Sequence, residues 1–470
     1  MMRLTGLVLR AALISIGLTG IVYGLAIIFL RPLDTVEGEL LFEASRLRSG
    51  FPLWVDPHVG AHEYGPVPAR YYVLYTATWP ALIALVPPSV APLFSRAVAT
   101  LAFYGGLLWI VLRASPERRH HAFLAAAYAG GVFMLVRAGV SGSADSLAVL
   151  LVAIALLRAL KTGSLDAVAG TLFTLAAWTK PNVIGAALGA FSFTILTQRL
   201  RVRSGLLAAV GVSAAMAGIE HVASHGQWAT HLFRSTAQPL DWSVWFEHVA
   251  PRFVFLGLPH LGVIAFAWHA RADRSMRLAL ASLAASLAWT LFSMAKIGSS
   301  TNYWIEPSMV AVVVVSVLPS RKAVTFPPIA VGLAGIAALL AVLNARTIFF
   351  ELPRLQTARG ELGRAAQICA LGPTDVAIGE HPGIEMTLNQ RIVATPFQLS
   401  HTEARDLEQW KRDMHAPEVR CLIMESDLLE KPVGNVDAAH DRFSVSMREI
   451  ARAEFALVDH SGSFWTYRKR

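Results

Sequence analysis

The sequence predicts a polytopic α-helical membrane protein that ends in a small, water-facing α/β domain. Three observations carry this. Hydrophobic residues make up 54% of the 470 residues and charged residues only 16%, against about 25% charged in an ordinary soluble protein. Mean hydropathy is +0.50. The apolar residues gather into runs over 1–350, broken by short basic clusters, whereas 351–470 have the mixed composition of a soluble domain.

A helix needs about 20 apolar residues to cross the hydrocarbon core. Runs approaching that length occupy 8–30, 91–112, 120–137, 146–160, 165–179, 181–198, 204–222, 252–270, 278–297, 303–318 and 325–345. The first follows Arg3 and Arg10 and has no small-x-small cleavage site before Arg31-Pro32, so it reads as a retained helix rather than a signal peptide. A further stretch, 71–88, opens with Tyr71, Tyr72 and Tyr75 and carries Pro80, Pro87 and Pro88.

Basic residues of short loops stay cytoplasmic. The clusters are Arg113/Arg118/Arg119, Arg158/Lys161, Arg199/Arg201/Arg203, Arg271/Arg274/Arg277 and Arg321/Lys322. With Arg3 and Arg10 also inside, an odd number of crossings must lie between 70 and 113. Residues 71–88 are therefore expected as a helix lying at the outer interface, not across the membrane. About eleven spans follow, with the N-terminus inside and the C-terminus outside. The expected domains are a transmembrane region, 1–345, whose first outward loop is 31–90, and an extracytoplasmic α/β domain, 346–470. The net charge of +9 sits in orienting loops, which argues against a nucleic-acid partner.

In the C-terminal part, 375–379, 391–395, 419–424 and 455–459 read as strands, and 402–414 and 439–453 as helices. Such alternation predicts a partly parallel sheet, with Phe464–Tyr467 as a closing antiparallel edge. Cys369 and Cys421 both fall here. They either pair as a disulfide, if the domain faces an oxidising compartment, or stay as buried thiols. Glu380-His381-Pro382-Gly383 follows the first strand, where α/β sites often form, but a plain turn is the favoured account of it.

The acids of the membrane part concentrate in the outward loops. Asp34 and Glu37 stand three apart just after the first span, on one helical face. Carboxylates at a membrane boundary mark a functional site by default, yet a helix cap explains the same spacing. Asp145, after Arg137, opens the fourth run and has the same two readings. Lys180, in Trp178-Thr-Lys-Pro-Asn182, either snorkels to headgroups or holds a phosphate as a point charge. Lys296 precedes the last turn, and Glu306 lies just inside a span, costly without a partner. Together these suggest one outward polar cavity that binds an anion and also needs a carboxylate. His221 and His225, four apart, with His231 beyond, suggest a zinc pair, but no Cys or carboxylate stands at matching spacing.

The membrane part resembles the GT-C superfamily of glycosyltransferases, specifically the family 39, dolichyl-phosphate-mannose protein mannosyltransferase-like group. The matching residues run in order from Asp34-x-x-Glu37-Gly38 through Ala44-Ser-Arg46, Gly50-x-Pro52, Tyr64-Gly-Pro66 and Tyr71-Tyr72. Arg137…Asp145-Ser146, Lys180 and Gly298…Asn302-Tyr303 follow. One departure stands out: the family's adjacent Asp-Glu falls on Val36-Glu37, with Asp34 a turn earlier. The resemblance implies inverting transfer of a sugar from a polyprenyl-phosphate donor to an acceptor outside the cytoplasm, whether glycan, lipid or protein. It implies a multi-pass protein of a bacterial inner membrane with a periplasmic C-terminal domain. Asp34 or Glu37 would act as base, with Asp145 orienting, and Lys180 and Arg137 would hold the phosphate. Tyr64, Tyr71, Asn302, Tyr303 and Glu306 would line the substrate. No cofactor is expected; a divalent metal, used by some relatives, is the less favoured variant. The competing class is a transporter or flippase of lipid-linked sugars, which predicts inverted repeats and mid-membrane charges. Neither feature is evident in the sequence.

Overall fold

The computed structural model describes residues 2–470 except 74, 198, 237–239, 297–299, 319–326, 397, 399–404, 426 and 428–442. Gly298, the Arg321/Lys322 pair and the starts of the predicted helices at 402 and 439 lie outside the described residues. The chain divides into two compact units. The first is Met1–Ile28, Arg96–Ala217 and Leu240–Leu352; the second is Phe29–Ser95, Gly218–Pro239 and Pro353–Arg470.

The first unit is helical, and the chain is a multi-pass membrane protein. Among the described residues, six helices are long and apolar enough to cross a bilayer: Leu4–Leu30, Ala91–Arg113, Val202–Ala223, Val249–Trp268, Arg274–Ser293 and Ala334–Cys369. Pro116–Ala129 and Phe133–Gly139, bent by 80°, make a seventh if taken as one broken span. Eleven were expected. Where the sequence predicts spans at 165–179, 181–198 and 303–318, the helices are Ala167–Thr179, Gly185–Thr197 and Ile305–Val317. Each has 13 residues, or roughly 20 Å at 1.5 Å per residue, short of a core about 30 Å thick. Apolar composition alone does not distinguish a crossing helix from a short helix packed inside a bundle. Close approaches need glycine at the crossings: a Cβ on Gly20 would lie 2.3 Å from the Gly131 Cα, and one on Gly170 2.2 Å from the Gly205 carbonyl oxygen. Small residues of this kind let membrane helices pack backbone to backbone.

The second unit joins Phe29–Ser95 and Gly218–Pro239 to the C-terminal domain. Its sheet has β1 (Val376–Gly379), β2 (Val419–Met424), β3 (Phe455–Ser461) and β4 (Phe464–Lys469) in the order β1-β2-β4-β3. β1 and β2 run parallel, and β4 is antiparallel to both β2 and β3. β4 is thus interior and β3 the edge, contrary to the predicted closing strand: a tight hairpin places the last strand between its partner and β2. Residues 391–395 form no strand; a single bridge pairs Ala394 with Arg70 instead. Both sheet faces are covered. Ile378, Leu422, Met424 and Tyr467 pack with Trp410 and Phe443 on one face. Ala377, Cys421 and Ile423 pack with Leu362, Ala365 and Cys369 on the other. There a Cys369–Cys421 disulfide, spanning 52 residues of sequence, ties the end of the helix Pro327–Cys369 to β2. Within 71–88 the described helix is only Thr78–Ala84. Tyr71, Tyr72 and Val73 are buried in protein rather than laid on an interface.

Candidate active site

In the second unit, the helix Thr35–Arg48 begins at Asp34. The Asp34 carboxylate accepts the Glu37 N–H at 2.8 Å, and the Glu37 carboxylate accepts the Asp34 N–H at 3.2 Å. This is a reciprocal capping box. Arg31 Nη2 lies 2.8 Å from the other Asp34 oxygen. The two predicted carboxylates are therefore brought together by the helix start itself. Asp34 stays partly exposed and Glu37 is buried.

The same helix carries two buried carboxylates that sequence reasoning did not single out. Glu39 accepts from Gln398 Nε2 at 3.0 Å. Glu43 Oε2 is buried with no hydrogen-bond partner among the described residues. Burial, and then the neighbouring Glu39, hold the Glu43 carboxyl well above the usual carboxylate range. The available signal was spacing: two acids four apart share a helical face, and here they flank an apolar Leu-Leu-Phe run.

This helix is seated on Pro382–Gly383. A Cβ on Gly38 would meet the Gly383 nitrogen at 2.4 Å, and one on Gly383 the Leu33 carbonyl oxygen at 2.3 Å. Gly383 donates its N–H to His381 Nδ1 at 3.1 Å, so the ring proton sits on Nε2, 3.3 Å from Glu425. Buried Glu385 accepts the N–H groups of Gly379, Val393 and Ala394; burial pushes its pKa up to about 8. The Glu380–Gly383 segment is thus the seat of the capping-box helix. The predicted Tyr64 and Tyr71 ring the buried Arg46 together with Phe42 and Phe51, 5.6–6.0 Å from its guanidinium carbon. Tyr71 is 1% exposed and donates its hydroxyl to the Leu53 carbonyl at 2.7 Å, a packing role. His231 accepts the Val73 N–H at Nδ1 and donates from Nε2 to the Val55 carbonyl, both ring nitrogens being taken by backbone. Burial lowers its pKa to about 4, so the ring is neutral. Among the described residues no three His, Cys, Asp or Glu side chains gather at metal-binding distance.

The first unit holds the other half of the predicted set. Asp145 opens the helix Asp145–Thr162 without capping it. Its carboxylate lies 3.1 Å from Lys180 Nζ and accepts from Asn302 Nδ2 at 2.9 Å. Both ion-pair side chains are 2% exposed. Lys180 sits where Pro181 forbids the helix Ala167–Thr179 to continue, and Asn302 lies in the single turn Thr301–Trp304. Three separate breaks in helical structure thus converge on one buried charge pair, and unpairing such a charge typically costs about 3–5 kcal/mol. Glu306 stands apart from it: its carboxylate accepts the Ala186 N–H at 2.7 Å, at the start of the helix Gly185–Thr197. The Tyr303 carbonyl accepts the Thr290 hydroxyl at 3.0 Å. Arg137 is exposed and forms no ion pair among the described residues. Lys296 bridges Leu240 through its backbone.

A multi-pass helical bundle, broken where it carries buried charge and joined to an α/β domain, defines the class. It is a multi-pass integral membrane protein with the fold of two solved membrane proteins. Two solved structures share that fold over nearly the whole chain. ArnT from Cupriavidus metallidurans bound to undecaprenyl phosphate superposes with a TM-score of 0.55 at 12% identity, over 96% of this chain and 97% of that one. The apo oligosaccharyltransferase of Archaeoglobus fulgidus gives 0.53 at 12% identity, over 99% of this chain and 74% of that one. No protein-family profile matches the sequence. No curated protein matches it either.

Proposed function

We propose that this protein is a membrane glycosyltransferase that moves a sugar from a polyprenyl-phosphate donor to an acceptor outside the cytoplasm. The observation that carries the reading is the buried Asp145–Lys180–Asn302 cluster, set among apolar helices of a GT-C fold. A lysine held away from water by a carboxylate that an amide fixes in turn suits a lipid phosphate that gains charge as it leaves. The undecaprenyl phosphate bound to ArnT supports a donor or product of that chemistry. The reaction is a single displacement with inversion. The acceptor oxygen loses its proton to Asp34 or Glu37 and attacks the anomeric carbon. The anomeric C–O bond to phosphate breaks, and its electron pair leaves with the lipid phosphate, which Lys180 stabilises. Asp145 positions that lysine, and Arg137 supplies further positive charge. The reading is metal-free, with Lys180 and Arg137 supplying the positive charge and a divalent metal the less favoured variant. The disulfide supports an oxidising location for the 346–470 domain, and the basic clusters Arg3/Arg10 and Arg113/Arg118/Arg119 support a cytoplasmic N-terminus.

Purified protein supplied with polyprenyl-phosphate sugars should form glycosylated acceptor with release of lipid phosphate. Lys180→Ala should abolish it. Activity that survives Asp34→Asn, Glu37→Gln and Lys180→Ala alike overturns the site assignment.

A further inference from the structure

The C-terminal sheet carries a basic cavity of about 330 Å³, lined by Cys369, Ala370, Asp375, Arg420, Arg468, Lys469 and Arg470. It belongs to the second unit and uses none of the candidate active-site residues. Its walls are fixed by covalent and ladder geometry. The disulfide pins the helix end at Cys369 to β2. Arg468 stands directly across from Cys421 on the neighbouring strand, so both project from one face of the sheet. Arg470 extends the ladder by donating its N–H to the Glu454 carbonyl at 2.9 Å.

The charges are unevenly engaged. Asp375 is spent: it accepts the Gly372 N–H at 2.9 Å and lies 3.3 Å from Arg420 Nε. Lys469 donates to the Ala416 carbonyl at 2.7 Å. Its ammonium also feels Glu454 and Glu418, while burial and Arg420 lower its pKa. Arg468 and Arg470 are exposed, and neither guanidinium has a partner among the described residues. Four cations thus surround one carboxylate that is already committed. Crowding like charges is unfavourable unless a counter-charge enters. Guanidinium forks match the oxygens of a phosphoryl group.

We propose that this cavity binds a phosphoryl group through Arg468 and Arg470, with Arg420 beside them. The volume is near the lower end for small-ligand sites and admits a pyrophosphate or a phosphomonoester with part of its organic group. A soluble phosphorylated molecule and an anionic lipid headgroup offer the same chemistry.

The test uses the full chain in phosphate-free detergent, titrated with inorganic phosphate and pyrophosphate at constant ionic strength and followed by calorimetry. Pyrophosphate should bind at least tenfold more tightly than phosphate, and Arg468→Gln/Arg470→Gln should weaken it by about tenfold or more. Both positions are exposed, so the variant should melt at the wild-type temperature without ligand. In nanodiscs, phosphatidylglycerol that competes with pyrophosphate identifies a headgroup as the source; binding indifferent to phosphatidylglycerol identifies a soluble one. Failure of either anion to bind, or binding unchanged in the double variant, overturns the proposal.

Discussion

Asp34 and Asp145 look alike in the sequence: each is an acid at the start of a helix, in a loop expected to face outward. The structure uses them differently. Asp34 is a cap in full, trading hydrogen bonds with Glu37. Asp145 makes no cap and spends its carboxylate on Lys180 and Asn302. The first arrangement is local, built from residues three apart. The second needs partners 35 and 157 residues away along the chain. A local explanation was therefore available for both from sequence, and it held for only one.

The sharpest way to break this contrast is Lys180→Ala. It strands a buried carboxylate and should cost about 3–5 kcal/mol of stability, read as a lower melting temperature, together with loss of transfer. Lys180→Ala/Asp145→Asn should recover much of the stability but none of the transfer. A double variant as unstable as the single one would show that the pair is not coupled. Reduction of the Cys369–Cys421 disulfide comes next. For a 52-residue separation, chain entropy puts the loss at about 4 kcal/mol, measurable by thermal unfolding with and without reductant.

At Asp34 and Glu37 chemistry and capping can be separated. Asn caps about as well as Asp, and Gln replaces Glu in a capping box. Asp34→Asn and Glu37→Gln should each leave stability within about 0.5 kcal/mol of wild type, and the one that removes the base should lose transfer. Asp34→Ala should cost about 1 kcal/mol through the cap alone. The smallest effect is at Glu43. Its folded pKa is raised, so its contribution to stability is complete below the usual carboxylate pKa and is lost as pH rises through the raised value. Glu43→Gln should flatten stability against pH on the alkaline side of that range. An unchanged slope would locate the titration elsewhere.

The fold class and the GT-C resemblance were legible because apolar runs and their basic punctuation are local signals. Helix length was not, since Ala167–Thr179 and Gly185–Thr197 are as apolar as a span but shorter than one. Asp145, Lys180 and Asn302 were individually visible, and the structure brings them together. Arg137, Tyr303 and Glu306 have the right residue type and lie near the same helix breaks in sequence, yet none of the contacts described above joins them to that cluster. Tyr71 reads as a surface aromatic only until its neighbours are known. Glu39 and Glu43 were passed over because a single acid among leucines looks like a solvated face. Only the distant Gln398 reveals that Glu39 is inside.

The seating of the Thr35–Arg48 helix on Gly383 has a consequence for how the chain is made. Arg70 and its buried partner Asp413 are 343 residues apart, and Glu39 and Gln398 are 359 apart. At roughly 5–20 residues per second of synthesis, the first loop leaves the ribosome roughly 20–70 s before its partners exist. It must spend that interval hydrated and unpacked while the helices between are inserted. A chain released before Asp413 would thus leave its earliest loop unfinished, with Arg70 lacking its ion-pair partner.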